Sequence, residues 1–96
     1  MNPPRQRIDL WLFRARFAKT RADAARLVAE GGLRLVRGQV ARRLEKPSAD
    51  VEVGDAMVLP HRGGLRALRV LALPRRRGPA AEARALYAEV DADALA

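Results

Sequence analysis

Between Arg7 and Arg37 the chain reads RIDLWLFRARFAKTRADAARLVAEGGLRLVR, and this stretch narrows the fold more than any other. At about 100° per residue, Ile8, Trp11, Leu12 and Ala15 fall on one stripe of a helix. Leu10, Phe13 and Phe17 fall on a second face. A helix apolar on two sides needs two packing partners. Ala18-Lys19 reads as a turn. Thr20 is a good N-cap for a second helix over Arg21–Glu30, with Asp23 as a weaker capping-box acid. Alanine at positions 22, 24, 25 and 29 favours helix and lets a neighbour approach closely. Gly31-Gly32 ends the helix, one glycine taking the left-handed cap.

The remainder alternates like a sheet. Leu33–Val36 reads as a strand, Arg37-Gly38 as a turn and Gln39-Val40 as the return. Val51–Val53 is a short strand candidate. Ala56–Leu59 and Leu65–Leu73 read as a hairpin around His61-Arg62-Gly63-Gly64. Pro74 stops the last strand. Ala80–Val90 has Ala83, Leu86, Tyr87 and Val90 at helical spacing, and its natural place is against the second face of the first helix. The expected fold class is α+β: two helices on a small, mostly antiparallel sheet, with a C-terminal helix. The expected division is a flexible arm over 1–6, the main domain over 7–73, a basic linker over 74–79 and the helical tail over 80–96, fraying beyond 90.

Size and charge bound the chemistry. A chain of 96 residues fits one small domain, with room for a core but not for a deep catalytic cleft as well. There are no cysteines, so disulfides and thiolate metal sites are excluded. No apolar run approaches the roughly 20 residues of a membrane span, and MNPPRQR does not read as a signal peptide; the expected location is cytoplasmic. The net charge is +8 and is unevenly spread: residues 1–46 hold 12 Lys/Arg against 4 Asp/Glu, whereas residues 78–96 hold 1 against 4. A basic patch of this kind attracts polyphosphate and releases counterions on binding. Its members are Arg7, Arg14, Arg16, Lys19, Arg21 and Arg26, with Arg34 and Arg37 nearby. Lys19, Thr20 and Arg21 sit where the first amides of a helix already favour an anion. The competing reading is a solvated charged face.

Other constellations read more simply. Trp11 could stack on a base, but its stripe position makes it a core residue. His61 lies at a turn without a second metal ligand and reads as exposed. Asp50, Glu52 and Asp55 flank a turn with no nucleophile or base and read as solvated loop charges. Gly63-Gly64 lacks phosphate-loop spacing. No active site is legible, and no metal or cofactor is expected.

Arg7-Ile8-Asp9, Trp11-Leu12, Ala15-Arg16, Lys19-Thr20-Arg21, Ala25, Leu27-Val28 and Gly31-Gly32 resemble the RNA-binding domain named after ribosomal small-subunit protein S-four. The resemblance continues through Leu35-Val36-Arg37-Gly38, Lys46-Pro47-Ser48 and Val53-Gly54-Asp55. Trp11, the Phe17–Arg21 turn and the tail Arg76-Arg77-Gly78-Pro79-Ala80-Ala81-Glu82-Ala83 with Leu86-Tyr87 resemble its fifteen-kilodalton, ribosome-associated heat-shock branch. The resemblance implies that the two helices and first strand grip structured RNA. It implies partners in ribosomal RNA and transfer RNA on large subunits carrying a stalled nascent chain, and binding of DNA as well. Carried over by position, Arg7, Arg16, Lys19, Thr20, Arg21 and Arg26 are implied RNA contacts, and Asp9 holds the helix start or pairs with an arginine. Leu10, Leu33 and Arg37 depart from the usual lysine, lysine and asparagine. The chain also ends soon after Tyr87, without the long basic tail of some relatives.

The expectation is therefore a non-catalytic, monomeric RNA-binding protein using Arg7, Asp9, Arg14, Arg16, Lys19, Thr20, Arg21, Arg26, Arg34 and Arg37. Two rivals stand beside it: an appendage or accessory factor of an RNA-modifying enzyme, and a protein-interaction adaptor using the acidic tail.

Overall fold

The first helix buries the stripe its sequence marks. In the computed structural model, which describes residues 2–95, helix α1 spans Ile8–Arg14 and α2 spans Arg21–Gly31. Ile8, Trp11 and Leu12 are fully buried and Ala15 nearly so. Each large side chain so buried contributes about 1.5–3 kcal/mol of transfer free energy. The indole Nε1 of Trp11 donates to the Ala72 carbonyl at 2.9 Å, so the buried ring leaves no polar orphan. Trp11 is thus a core residue and not a stacking platform.

Helix α2 begins and ends as its residues dictate. The Thr20 hydroxyl accepts from the Asp23 amide at 3.0 Å. Gly32 closes the helix at φ 72°, where a Cβ would be strained. Its buried face is Ala24 and Val28.

Five strands form the main sheet, in the order β3-β2-β5-β6-β7, every neighbouring pair antiparallel. They are β2 Arg34–Arg37, β3 Val40–Arg43, β5 Ala56–His61, β6 Gly64–Val70 and β7 Tyr87–Glu89. A second ladder pairs β1 Gln6–Arg7 with β4 Asp50–Val51. The β5–β6 turn has Arg62 at φ 53° and Gly63 at φ 79°. Two left-handed residues in a two-residue loop match the strand twist. The core joins α1 and α2 to one sheet face through Leu33, Leu35, Met57, Leu59, Leu68 and Val70. The class is α+β, with two helices on an antiparallel sheet.

Three expectations are corrected. Helix α1 stops at Arg14, because Arg16 turns left-handed at φ 66°; Phe17 still reaches the core, but from the loop. Gln6, placed in the flexible arm, is in β1 and donates to the Pro74 carbonyl at 2.8 Å. The tail helix is only α3, Ala80–Arg84, and Tyr87–Glu89 is a strand. The open edge of β6 decides this. The Leu86 carbonyl takes the Leu71 amide at 2.8 Å, and the Val90 amide reaches the Ala67 carbonyl at 3.0 Å. Pairing with that edge satisfies backbone groups of β6 that would otherwise stay unpaired. A 3-10 turn covers Ala92–Leu95; Met1 of the expected arm and Ala96 of the expected tail lie outside the described residues.

The second face of α1 is covered by the linker and β7, not by a helix. Arg77 lays its guanidinium 5.0 Å from the Phe13 ring centroid and donates to the Phe13 carbonyl at 3.1 Å. Tyr87 packs 4.9 Å from the Phe17 ring and edge-on to Trp11 at 6.4 Å.

Candidate nucleic-acid interface

Asp9 is the hub of the helix pair. It is 4% exposed, yet four donors surround it. Arg7 donates from Nε to Oδ1 at 3.1 Å and from Nη2 to Oδ2 at 2.9 Å. The Leu10 amide donates at 2.7 Å, and Arg21 Nη2 lies 3.8 Å away. The hydrogen bond from Arg7, and then the charge of Asp9, hold the Arg7 guanidinium above its ordinary pKa. Asp9 therefore sits in the first turn of α1, where its charge suits the helix dipole, and ties both arginines to it. A buried carboxylate so engaged positions cations and does not itself meet a polyanion.

The remaining expected contacts fall into two groups. Arg14 donates to the Pro74 carbonyl at 2.8 Å, Arg16 to the Gly78 carbonyl at 2.7 Å, and Arg26 pairs with Asp23 one helical turn away. Arg16 and Arg26 are exposed, and each bond uses only part of a five-donor guanidinium. Lys19, Thr20 and Arg21 are exposed together at the start of α2. Thr20 spends its hydroxyl lone pair on the cap; Lys19 has no acidic partner among the described residues. Arg34 is exposed on β2, directly opposite Arg43. Like charges facing one another across a ladder are unfavourable without an anion, and Glu45, 3.8 Å from Arg43, offsets this only partly.

Arg37 belongs elsewhere. It forks onto Asp55 at 2.9 and 2.8 Å and reaches Glu52 at 3.1 Å. Asp55 is 2% exposed and also accepts from the Glu52 amide at 2.8 Å. Asp55, expected as a solvated loop charge, is a buried anchor, and Arg37 is its partner. The hydrogen bond to Asp55 is the main cause that raises the Arg37 pKa, against the cost of burial.

Sequence reasoning missed two sets of cations. Arg42 and Arg43 lie exposed on edge strand β3, and hairpin register with Arg34 was the signal that could have found them. Arg62, Arg66 and Arg84 converge from three segments beside Arg16, which no local pattern reveals. His61, expected at an exposed turn, closes β5 half-buried, its ring edge-on to Phe17 at 5.5 Å. Burial first, then the charges of Arg66 and Arg62, lower its pKa.

A helix pair whose second member starts capped and cationic, set on an antiparallel sheet, defines an S4-type module, and the S4 domain family model matches residues 6–35. Heat shock protein 15 of Escherichia coli K12 is 42% identical over 83 residues, covering 86% of this chain and 59% of that protein. The Haemophilus influenzae homolog is 33% identical, covering 88% of this chain and 61% of that one. The chain thus spans about three-fifths of the length of these curated relatives. The solved structure of Vibrio cholerae heat shock protein 15, described as trimeric, superposes with a TM-score of 0.79 at 32% identity, covering 91% of this chain and 83% of that one. The chain belongs to the heat shock protein 15 family.

Proposed function

We infer that this protein binds structured RNA without catalysing a reaction on it, through the α1–α2 pair. The observation that carries the reading is the start of α2, where Lys19 and Arg21 flank a capped helix N-terminus in a chain of net charge +8. The first amides of a helix attract anions, and two exposed cations strengthen the field. Phosphate contacts of this kind set position, and the folded shape of the RNA supplies selectivity. Arg16, Arg26 and Arg34 extend the same surface, with Arg7 and Arg21 oriented by Asp9. Membership of the heat shock protein 15 family supports the finer reading: the RNA is ribosomal RNA of the large subunit, with transfer RNA beside it, on subunits holding a stalled nascent chain. The same phosphate contacts admit DNA. The location that fits is the cytoplasm; among the described residues no helix is long and apolar enough to cross a membrane.

The test is sedimentation of the tagged protein with cell lysate through sucrose, at low and at raised salt. Co-migration with free large subunits, weakened by salt and by Arg21→Ala, is the expected result. Protein left at the top of the gradient in both salts would refute the ribosomal reading. Turnover in a pseudouridylation or methylation assay would refute the non-catalytic one.

A further inference from the structure

We propose that the groove between the β5–β6 turn and the tail is a second nucleic-acid contact, which takes an unpaired nucleotide flanking the structured RNA. The proposal rests on the RNA reading above and extends it to a surface outside the helix pair.

The groove has a volume of about 380 Å³ and is lined by Arg16, Arg62, Arg66 and Arg84 together with Phe17 and Tyr87. Among the described residues no carboxylate lines it. Arg62 and Arg84 are exposed and have no acidic partner among the described residues. Both are free to close on a phosphate. Arg66 is different, because the protein fixes it. It pairs with Glu89 on β7, its Nη1 lies 3.4 Å from His61 Nδ1, and its guanidinium carbon sits 5.0 Å from the Phe17 centroid and 5.6 Å from that of Tyr87. A guanidinium paired with Glu89 and lying over two aromatic rings is pre-ordered, and a guanidinium so fixed can stack on an unpaired base. The side chain keeps 30% of its surface exposed, so it is reachable from the groove.

The electrostatics point the same way. Arg16, Arg62 and Arg84 gather in one concavity with no carboxylate paired to them among the described residues, an arrangement that favours an incoming anion. A nucleotide supplies both halves of what the groove lacks: an anion for Arg62 and Arg84, and a planar ring for Arg66. Arg16 and Phe17 belong to the same loop that leads into Lys19, Thr20 and Arg21. One strand of RNA leaving the α2 N-terminus therefore meets the groove next.

The experiment compares two RNA probes on the full chain: a blunt hairpin, and the same hairpin with a single-stranded extension of about six nucleotides. Wild type should bind the extended probe about tenfold more tightly, within the range for one stacked base. Arg62→Ala with Arg84→Ala should abolish that preference and lower the salt slope on the extended probe by about two, with binding of the blunt hairpin retained. Arg66→Met should abolish the preference too. Lys19→Ala with Arg21→Ala should weaken both probes alike. The control pair Arg42→Ala with Arg43→Ala should keep the preference. The proposal is overturned if wild type treats the two probes equally, if the groove variants keep the preference, or if the control pair loses it equally. In those cases the helix-pair reading stands as long as Lys19→Ala with Arg21→Ala weakens the blunt hairpin. Failure of wild type to bind either probe would overturn both readings.

Discussion

Arg37 and Asp55 lie 18 residues apart in sequence and form a two-pronged pair across the sheet, at 2.9 and 2.8 Å. The pair ties the end of β2 to the start of β5, and Asp55 also secures the Glu52 amide. This arginine is therefore spent on the fold. Removing it leaves a buried carboxylate without its partner, which in a closed interior costs about 3–5 kcal/mol. The Arg37 side chain is 36% exposed, so water offsets part of that loss. Arg37→Ala should lower stability by about 1–3 kcal/mol in a urea melt, while RNA affinity measured well below the transition stays within about twofold. Unchanged stability with lost RNA binding would return Arg37 to the interface.

Tyr87→Ala tests the tail as a strand. The ring packs against Phe17 and Trp11 and lies under Arg66. Truncation removes these contacts and should cost about 2–4 kcal/mol, read by thermal or denaturant unfolding. Amide exchange is the second check: Leu71, whose amide bonds to the Leu86 carbonyl, should lose protection in the variant along with Val90. A Tm shift near zero would mean that β7 does not dock.

Several features were legible because their causes are local. Thr20 marks the α2 start, since a hydroxyl before a helical run has one obvious acceptor role. Gly32 marks its end, since φ 72° suits glycine. The Ile8–Trp11–Leu12–Ala15 stripe identifies the core face because helical spacing alone brings those residues together. The tail was not legible in the same way. Alanine-rich spacing over 80–90 suits a helix, and the competing β6 edge exists only in three dimensions. Nor could charge patterning separate cations that bind the fold from cations free to bind a partner. Arg37 and Lys19 look alike in sequence; only the buried Asp55 beside one of them distinguishes the two. The Arg62–Arg66–Arg84 groove is assembled from a turn, a strand and a helix end, so no spacing encodes it.

His61 gives a pH signature. Burial and the neighbouring arginines hold its folded pKa below the ordinary value of about 6.5. Protonation therefore favours the unfolded chain. The His61 contribution to stability is present in full above about pH 6.5 and declines as pH falls through that value toward the lower folded one. Comparing wild type with His61→Gln by urea melts from pH 7.5 to 5 isolates it from the carboxylates. The wild-type curve should fall more steeply below about pH 6.5. Parallel curves would mean that the ring binds its proton equally well folded and unfolded.

Lys19 and Asp9 separate a contact from a positioning group. Lys19 is exposed and carries no structural partner among the described residues, so Lys19→Ala should leave the melting temperature nearly unchanged. Its effect belongs to binding: a uniform loss of affinity across RNA sequences and a salt slope lower by about one. Asp9 is buried and holds Arg7 while Arg21 lies beside it. Asp9→Asn removes a negative charge near a polyanion, which by charge alone should tighten binding. If orientation of the two arginines matters more, the variant binds less tightly even though the surface has become more positive, and it also unfolds earlier. We expect that second pattern, because the carboxylate engages Arg7 through two oxygens and an amide can accept through only one. Filter binding of both variants across a salt series, with melts on the same samples, decides it: tighter binding by Asp9→Asn would show that the arginines need no fixed geometry to act.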